Sequence, residues 1–166
     1  MYQKWRSYFP PYIQSLIARL LAVVIALTIT RIIFYLSNSG SFSDVRFSDW
    51  LAGIWFDLVT IGLIFLPFIS LSILPFPFRD NYFYRLLQKI CFHVPLLLTI
   101  ALNLMDTEYF NFTQKRSTAD LFAIVSAGND IGQLLTTFIK DFWLMIVFFI
   151  LLLIGMEWLY RKTRSE

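Results

Sequence analysis

Cysteine and histidine are nearly missing from this sequence, with one residue of each among 166. The single cysteine, Cys91, excludes an internal disulfide, and its apolar neighbours indicate a small buried hydrophobic residue. A hydrolytic zinc site normally takes three His, Asp, Glu or Cys ligands, so this composition argues against one. The glycine-rich phosphate loop, the H-E-x-x-H pair and the G-x-S-x-G turn are missing too. The residues themselves therefore predict neither a metal site nor catalytic residues in this chain.

Charged residues are also scarce, at 15% of the chain against roughly 25% in soluble domains. Hydrophobic residues make up 58% and aromatic residues 19%. These proportions predict an integral membrane protein, and the net charge of +3 fits the basic cytoplasmic loops of such proteins rather than nucleic-acid binding. Four apolar segments have about the length that crosses a bilayer, at residues 12–36, 50–74, 86–105 and 142–160. We predict an all-α fold, a polytopic membrane bundle of four transmembrane helices in one domain, 1–166.

Lys and Arg are distributed unevenly between these segments. With the N-terminus in the cytoplasm, the basic residues on the cytoplasmic side are Lys4, Arg6, Arg79, Arg85, Lys89, Arg161, Lys162 and Arg164. The outer side then holds only Arg46, Lys115, Arg116 and Lys140. Because cytoplasmic loops are enriched in basic residues, we predict that both termini are cytoplasmic.

Charge and aromatic rings are concentrated directly after the third apolar segment, in the stretch N-L-M-D-T-E-Y-F-N-F-T-Q-K-R-S-T-A-D, residues 103–120. This combination is typical of a membrane–water boundary. Ser117 to Asp120 has the form of a capping box, and apolar residues recur with helical spacing over 131–142. We predict an extracytoplasmic interfacial, amphipathic helical segment over residues 106–141. Residues 131–142 are also compatible with a simple extension of the fourth span.

Arg31 and Asp57 lie inside apolar segments, where a charge is costly. Counted from the outer ends of the first two spans at about 1.5 Å per residue, both lie roughly 8–11 Å deep. We therefore predict an intramembrane ion pair, with a lipid-headgroup contact by Arg31 as the alternative. Arg19 is close enough to the cytoplasmic end to snorkel, and His93 is predicted to be a hydrogen-bonded packing residue.

Four features of this sequence together resemble a known family. They are the 103–120 stretch, the G-N-D break that follows it, the K-D-F-W lead into the fourth span, and G-I-W-F-D at residues 53–57. The features resemble the N-terminal membrane domain of lipoteichoic-acid-synthase-like proteins, a family of membrane sulfatases and phosphoglycerol transferases in the alkaline phosphatase superfamily. The resemblance implies a five-span domain in the bacterial cytoplasmic (inner) membrane and an extracytoplasmic domain that acts on phosphate or sulfate esters with a divalent metal. Since this chain ends after four spans, we expect that it lacks the catalytic domain, its metal and its activity.

The function expected in this family context is a membrane-anchoring and lipid-interface domain for a separate or missing catalytic domain. The residues expected at the lipid headgroups and the interface are Asp106, Glu108, Tyr109, Phe110, Phe112, Lys115, Arg116 and Asp120. Lys115 and Arg116 would bind the phosphate of an anionic phospholipid, although an aromatic belt with ordinary loop charges explains the stretch equally well. The alternative function is a complete four-span accessory or assembly protein without enzymatic activity.

Overall fold

The computed structural model describes residues 10–42, 45–74, 81–113 and 143–163, and for residues 111–113 it describes only the backbone. The secondary structure in these ranges is helical: α1 (Pro11–Ser37), a 3-10 turn (Ser39–Ser41), α2 (Phe47–Ile64), α3 (Leu66–Ile73), α4 (Tyr82–Thr113) and α5 (Trp143–Lys162). Four of these helices, α1, α2, α4 and α5, are long and apolar enough to cross a membrane. The prediction of a helical fold with four candidate membrane spans is therefore confirmed for the described residues.

Helices α1 and α4 form the centre of the bundle. In their most apolar stretches 39% and 33% of the residues are buried, against 6% in α2 and 11% in α5. Phe92 of α4 is fully buried and contacts rings from two other helices, with centroid distances of 5.0 Å to Phe68 and 5.0 Å to Tyr160. The small residues Ala22 and Ala26, one turn apart on α1, are also buried, and such residues let helix backbones approach closely.

The second apolar segment differs from the prediction of one span over 50–74. It is divided at Phe65 into α2 and the short helix α3. Pro67 explains the break, because proline has no N–H to donate to the carbonyl four residues earlier and its ring clashes with that carbonyl. The helical hydrogen bonding of α2 continues up to this point, where the Phe65 N–H donates to the Ile61 carbonyl at 3.0 Å. The span that the sequence analysis placed at 50–74 is therefore α2 alone by length and apolarity.

The third apolar segment also differs from the prediction, because α4 continues to Thr113 instead of ending near residue 105. Residues 106–113 thus form the last two turns of a long helix and do not begin a separate interfacial segment. Buried Asn38, at the end of α1, contributes to this extension, since its Nδ2 donates to the carbonyls of Phe34 (3.0 Å) and Thr107 (3.1 Å). The rest of the predicted segment, including the capping box at Ser117, lies outside the described residues.

Candidate functional site

Arg31 of α1 and Asp57 of α2 form an ion pair, with 2.5 Å between Nη2 and Oδ2. Nη2 also donates to the carbonyl of Gly53 at 2.7 Å. Gly53 and Asp57 are four residues apart and therefore lie on one face of α2, so a single guanidinium reaches both. The side chains of Arg31 and Asp57 are only 19% and 17% exposed. These are the two residues for which the sequence predicted an intramembrane ion pair, and in the structure their side chains are in contact.

Gly53 lets the guanidinium come this close to the helix. A β-carbon at this position would lie 2.6 Å from Arg31 Cζ, 2.7 Å from Nη1 and 2.9 Å from Nε. Contacts this short require the arginine to move, and the arginine is held by two acceptors on the same helix. In the sequence, G-I-W-F-D was only one of the motifs that carry the family resemblance. The structure shows that the glycine and the aspartate of this motif both contact Arg31.

A cleft of about 700 Å³ adjoins this ion pair between α1, α2 and α4. Its polar lining comes from Arg31, Asp49, Asp57, Thr60, Thr99, Asn103 and Asp106, and its aromatic lining from Phe34, Tyr35, Phe42, Trp50 and Phe56. Asp49 lies in the first turn of α2, where its carboxylate accepts the Arg46 backbone N–H at 2.9 Å. The cleft therefore combines charged groups with aromatic surface at the end of the bundle where α1 ends and α2 begins.

An aromatic cluster closes the helix ends beside the cleft. Phe110 near the end of α4 stacks on Phe42, with 5.4 Å between centroids and 17° between ring planes, and meets Phe34 edge-on at 5.3 Å. Tyr35 and Trp50 form a second edge-on pair at 5.7 Å. Such pairs add about 0.5–1.5 kcal/mol beyond the area that they bury. Phe110, a predicted interface residue, thus packs against other rings of the protein.

The other residues that were predicted at the lipid headgroups do not all lie at the cleft. Asp106 lines the cleft. Glu108 and Tyr109 are half-buried on α4 and are not part of the cleft lining. The Phe112 side chain and all of Lys115, Arg116 and Asp120 lie outside the described residues. The structure therefore joins the Asn103–Asp106 end of this stretch to the Arg31–Asp57 pair, a connection that the sequence analysis did not make.

A second polar cluster, centred on Glu157 of α5, did not emerge from the sequence. Its Oε1 accepts hydrogen bonds from Lys89 Nζ at 2.9 Å and from Arg161 Nε at 2.7 Å. His93 Nε2 lies 2.7 Å from Glu157 Oε2, while its Nδ1 lies 2.9 Å from the Lys89 carbonyl oxygen. His93 is thus both a hydrogen-bonded residue of α4, as the sequence analysis expected, and a polar contact between α4 and α5.

Arg19 belongs to the same end of the bundle. It is buried, with its guanidinium carbon 3.8 Å from the centre of the Tyr160 ring. Its nitrogens donate to Thr163 Oγ1 at 3.2 Å and to the Tyr160 carbonyl at 3.3 Å. A cation at this place satisfies free carbonyls at the C-terminus of α5 and complements its dipole. Arg19 therefore reaches from α1 to the C-terminal end of α5 and joins these two helices.

The polar clusters contain side chains of the types that bind metal ions. Within the described residues, His, Cys, Asp and Glu side chains do not gather in any group of three that could hold a metal ion.

No model of a known protein family matches this chain, and no curated protein or solved structure matches it either.

Proposed function

We propose that this chain is a membrane-anchoring and lipid-interface domain that serves an extracytoplasmic enzyme of the sulfatase and phosphoglycerol transferase type. In this proposal the chain lies in a bacterial cytoplasmic membrane with both termini in the cytoplasm, as the Lys and Arg distribution predicts. The end that carries the cleft then faces outward, towards a catalytic domain that supplies the divalent metal and the ester chemistry.

The main support for the proposal is that two sequence motifs of the family resemblance, which are far apart in the chain, both line one cleft. G-I-W-F-D contributes Gly53 and Asp57, and the stretch after the third span contributes Asn103 and Asp106. A lipid-interface site needs an apolar route from the bilayer and polar groups where the headgroup lies. The cleft has both, because aromatic rings and aliphatic side chains share its wall with an ion pair. Lys115 and Arg116, outside the described residues, are the proposed contacts for the phosphate.

Photolabelling tests the proposal. The full chain is placed in nanodiscs that contain a phospholipid with a diazirine in its headgroup, and labelled peptides are mapped by mass spectrometry. We expect Tyr35 and Trp50 to be labelled more strongly than Trp158, an exposed aromatic residue of α5 beyond the Glu157 cluster. The excess should disappear in Asp57→Ala if the ion pair shapes the cleft. Equal labelling at Trp50 and Trp158 in the unchanged chain would contradict a specific headgroup site.

A second function is favoured by the outer faces of α2 and α5. Large apolar side chains on these helices are exposed, including Trp55 at 66% and Ile154 at 61%. Such faces suit either lipid or the helices of a partner, as an accessory or assembly protein would require. Lipid-facing residues tolerate apolar exchange, whereas an interface with a partner does not. Loss of a co-purifying membrane protein in Trp55→Leu or Ile154→Ala, with the photolabelling pattern unchanged, would favour the accessory function.

A further inference from the structure

His93 has an oxygen atom close to each of its two ring nitrogens. Its Nδ1 lies 2.9 Å from the Lys89 carbonyl oxygen, and its Nε2 lies 2.7 Å from Glu157 Oε2. A carbonyl oxygen and an ionised carboxylate only accept hydrogen bonds, whereas a neutral imidazole carries one hydrogen and presents a lone pair at its other nitrogen. A neutral His93 beside an ionised Glu157 would therefore place two acceptors against each other in one of these contacts.

The Nε2 contact shows where a further proton is needed. Nε2 is buried and forms no aligned hydrogen bond within the described residues. A distance of 2.7 Å to a carboxylate oxygen is favourable only with one more proton, on the ring or on the carboxyl group. Lys89 and Arg161 donate to Glu157 Oε1 at 2.9 Å and 2.7 Å, and such donors stabilise the ionised carboxylate. That leaves the ring as the place for the further proton.

The surroundings of the ring both attract and repel this proton. Within the described residues, the charged and titratable groups beside the ring are Lys89 of α4, Glu157, Tyr160 and Arg161 of α5, and Arg19 of α1 on the Tyr160 ring. Helix α3, which contacts the neighbouring Phe92, has no titratable side chain. The Glu157 carboxylate favours a cationic ring, and the cations disfavour it. Because these effects oppose each other, the proton can leave, and histidine is the side chain that ordinarily changes charge between about pH 5 and 8.

We propose that His93 and Glu157 form a pH-sensitive link between α4 and α5. With both ring nitrogens protonated, the imidazolium attracts the Glu157 carboxylate and holds the two helices together. As the pH rises, the proton on Nε2 passes to water, while Nδ1 keeps its hydrogen because it faces a carbonyl. The Nε2 lone pair then faces Oε2, and the link is lost. In the predicted topology this end of the bundle is cytoplasmic, so the link responds to the cytoplasmic pH and does not depend on the lipid-interface function.

The single histidine of this chain makes a direct test possible, because labelling with nitrogen-15 histidine gives signals from His93 alone. The full chain in micelles is titrated from about pH 5 to pH 8, and the nitrogen shifts report which ring nitrogens carry hydrogen. We expect both to be protonated at the acid end and Nδ1 alone at the alkaline end. A neutral ring with its hydrogen on Nε2, or a ring with one hydrogen throughout, would overturn the proposal.

Two variants separate an ionic link from simple packing. Glu157→Gln keeps the size of the side chain and removes its charge. The ring should then hold the second proton about tenfold more weakly, because an opposite charge within about 4–6 Å is lost. Arg161→Ala is the matched control, since it removes a cation from the same carboxylate, and the ring should hold the proton as tightly or more tightly. The same titration in the unchanged chain and in Glu157→Gln, or weaker proton binding in Arg161→Ala, would contradict the ionic link.

Unfolding free energies in the same micelles measure the link between the helices. The unchanged chain should lose stability as the pH rises across this range, because the folded state holds a proton in a contact that the unfolded chain lacks. His93→Gln cannot take up a second proton, so its stability should depend less on pH. A pH dependence of the same size in His93→Gln would show that the proton does not join α4 to α5, and the proposal would fail even if the ring titrates as expected.

Discussion

The two polar clusters of this protein, centred on Arg31 and on Glu157, satisfy their charges in opposite ways. Helix α1 has an arginine near each cluster, since Arg31 lies beside the cleft and Arg19 contacts the C-terminus of α5. The two arginines are twelve residues apart, about 18 Å along a helix. At the Glu157 end, Lys89, Arg161 and His93 all approach one carboxylate. At the Arg31 end, one guanidinium contacts one carboxylate and one carbonyl, and further carboxylates line a cleft.

This difference indicates that the Glu157 cluster holds helices together, whereas the Arg31 end is a candidate binding site. The Glu157 carboxylate accepts hydrogen bonds from Lys89 and Arg161, and removal of either donor leaves the other in place. The Arg31 end has a buried donor without a described partner and an open volume beside it. Unsatisfied polar groups are costly in a low-dielectric interior, so their presence next to a cleft points to a ligand. The Glu157 cluster has the chemistry of a clamp between α4 and α5.

Cysteine labelling gives the largest expected effect, because it decides which cluster faces outward. Ser41→Cys lies at the Arg31 end and Asn81→Cys lies just before α4, both placed in a Cys91→Ser background. On intact cells an impermeant thiol reagent should label the cysteine at position 41 and leave the one at position 81 unlabelled, since the Lys and Arg distribution predicts a cytoplasmic α4 start. Permeabilised cells provide the control, in which both react. Labelling only at position 81 would invert the topology and place the Glu157 cluster outside.

Removal of Asp57 should have the largest effect on stability. Asp57→Ala leaves the Arg31 guanidinium buried without its carboxylate, and loss of one partner of a buried pair costs about 3–5 kcal/mol. The double variant Arg31→Ala with Asp57→Ala should lose less than the sum of the two single losses. Unfolding free energies in mixed micelles measure all three. Additive losses would show that the two side chains touch without stabilising each other.

A methyl group at Gly53 should have a smaller effect through the same ion pair. Gly53→Ala puts a carbon within 3 Å of three guanidinium atoms, and overpacking of this kind costs about 1–3 kcal/mol. Gly62→Ala is the matched control on the same helix, because nothing lies within 4 Å of the place that its methyl group would take. Alanine there should be neutral or stabilising by up to about 1 kcal/mol. Equal behaviour of the two variants would mean that the arginine moves aside freely.

Much of the bundle could be predicted from apolarity and charge. The four spans follow from hydropathy, and Arg31 and Asp57 could be paired because each lies at a similar depth in consecutive helices. The break at Phe65 was missed because Pro67 has apolar neighbours and does not interrupt the hydropathy of the segment. The end of α4 was missed for the opposite reason, since Asp106 ends the continuous apolar run while the helix continues to Thr113.

The Glu157 cluster could not be derived in the same way. Its residues come from α4 and α5, and Lys89 and Glu157 are 68 positions apart in the chain. Their contact depends on how the two helices are rotated about their axes, which neither depth nor composition determines. The cleft has the same origin: Gly53 and Asn103 each had a place in the sequence argument, but only the packing of α2 and α4 against α1 brings them to one wall.

Loss of Arg161 should have the smallest effect and is the sharpest check of the contrast between the clusters. Its side chain is 76% exposed, and Glu157 keeps Lys89 and His93 as neighbours when Arg161 is removed. Exposed ion pairs contribute about 0–1 kcal/mol, so Arg161→Ala should change the unfolding free energy by less than about 1 kcal/mol in the same micelles. Glu157→Gln should cost more, because Lys89 and Arg161 then both lose their shared carboxylate. If Arg161→Ala were as damaging as Asp57→Ala, the Glu157 cluster would depend on each donor, and the proposed difference between a filled clamp and an open site would not hold.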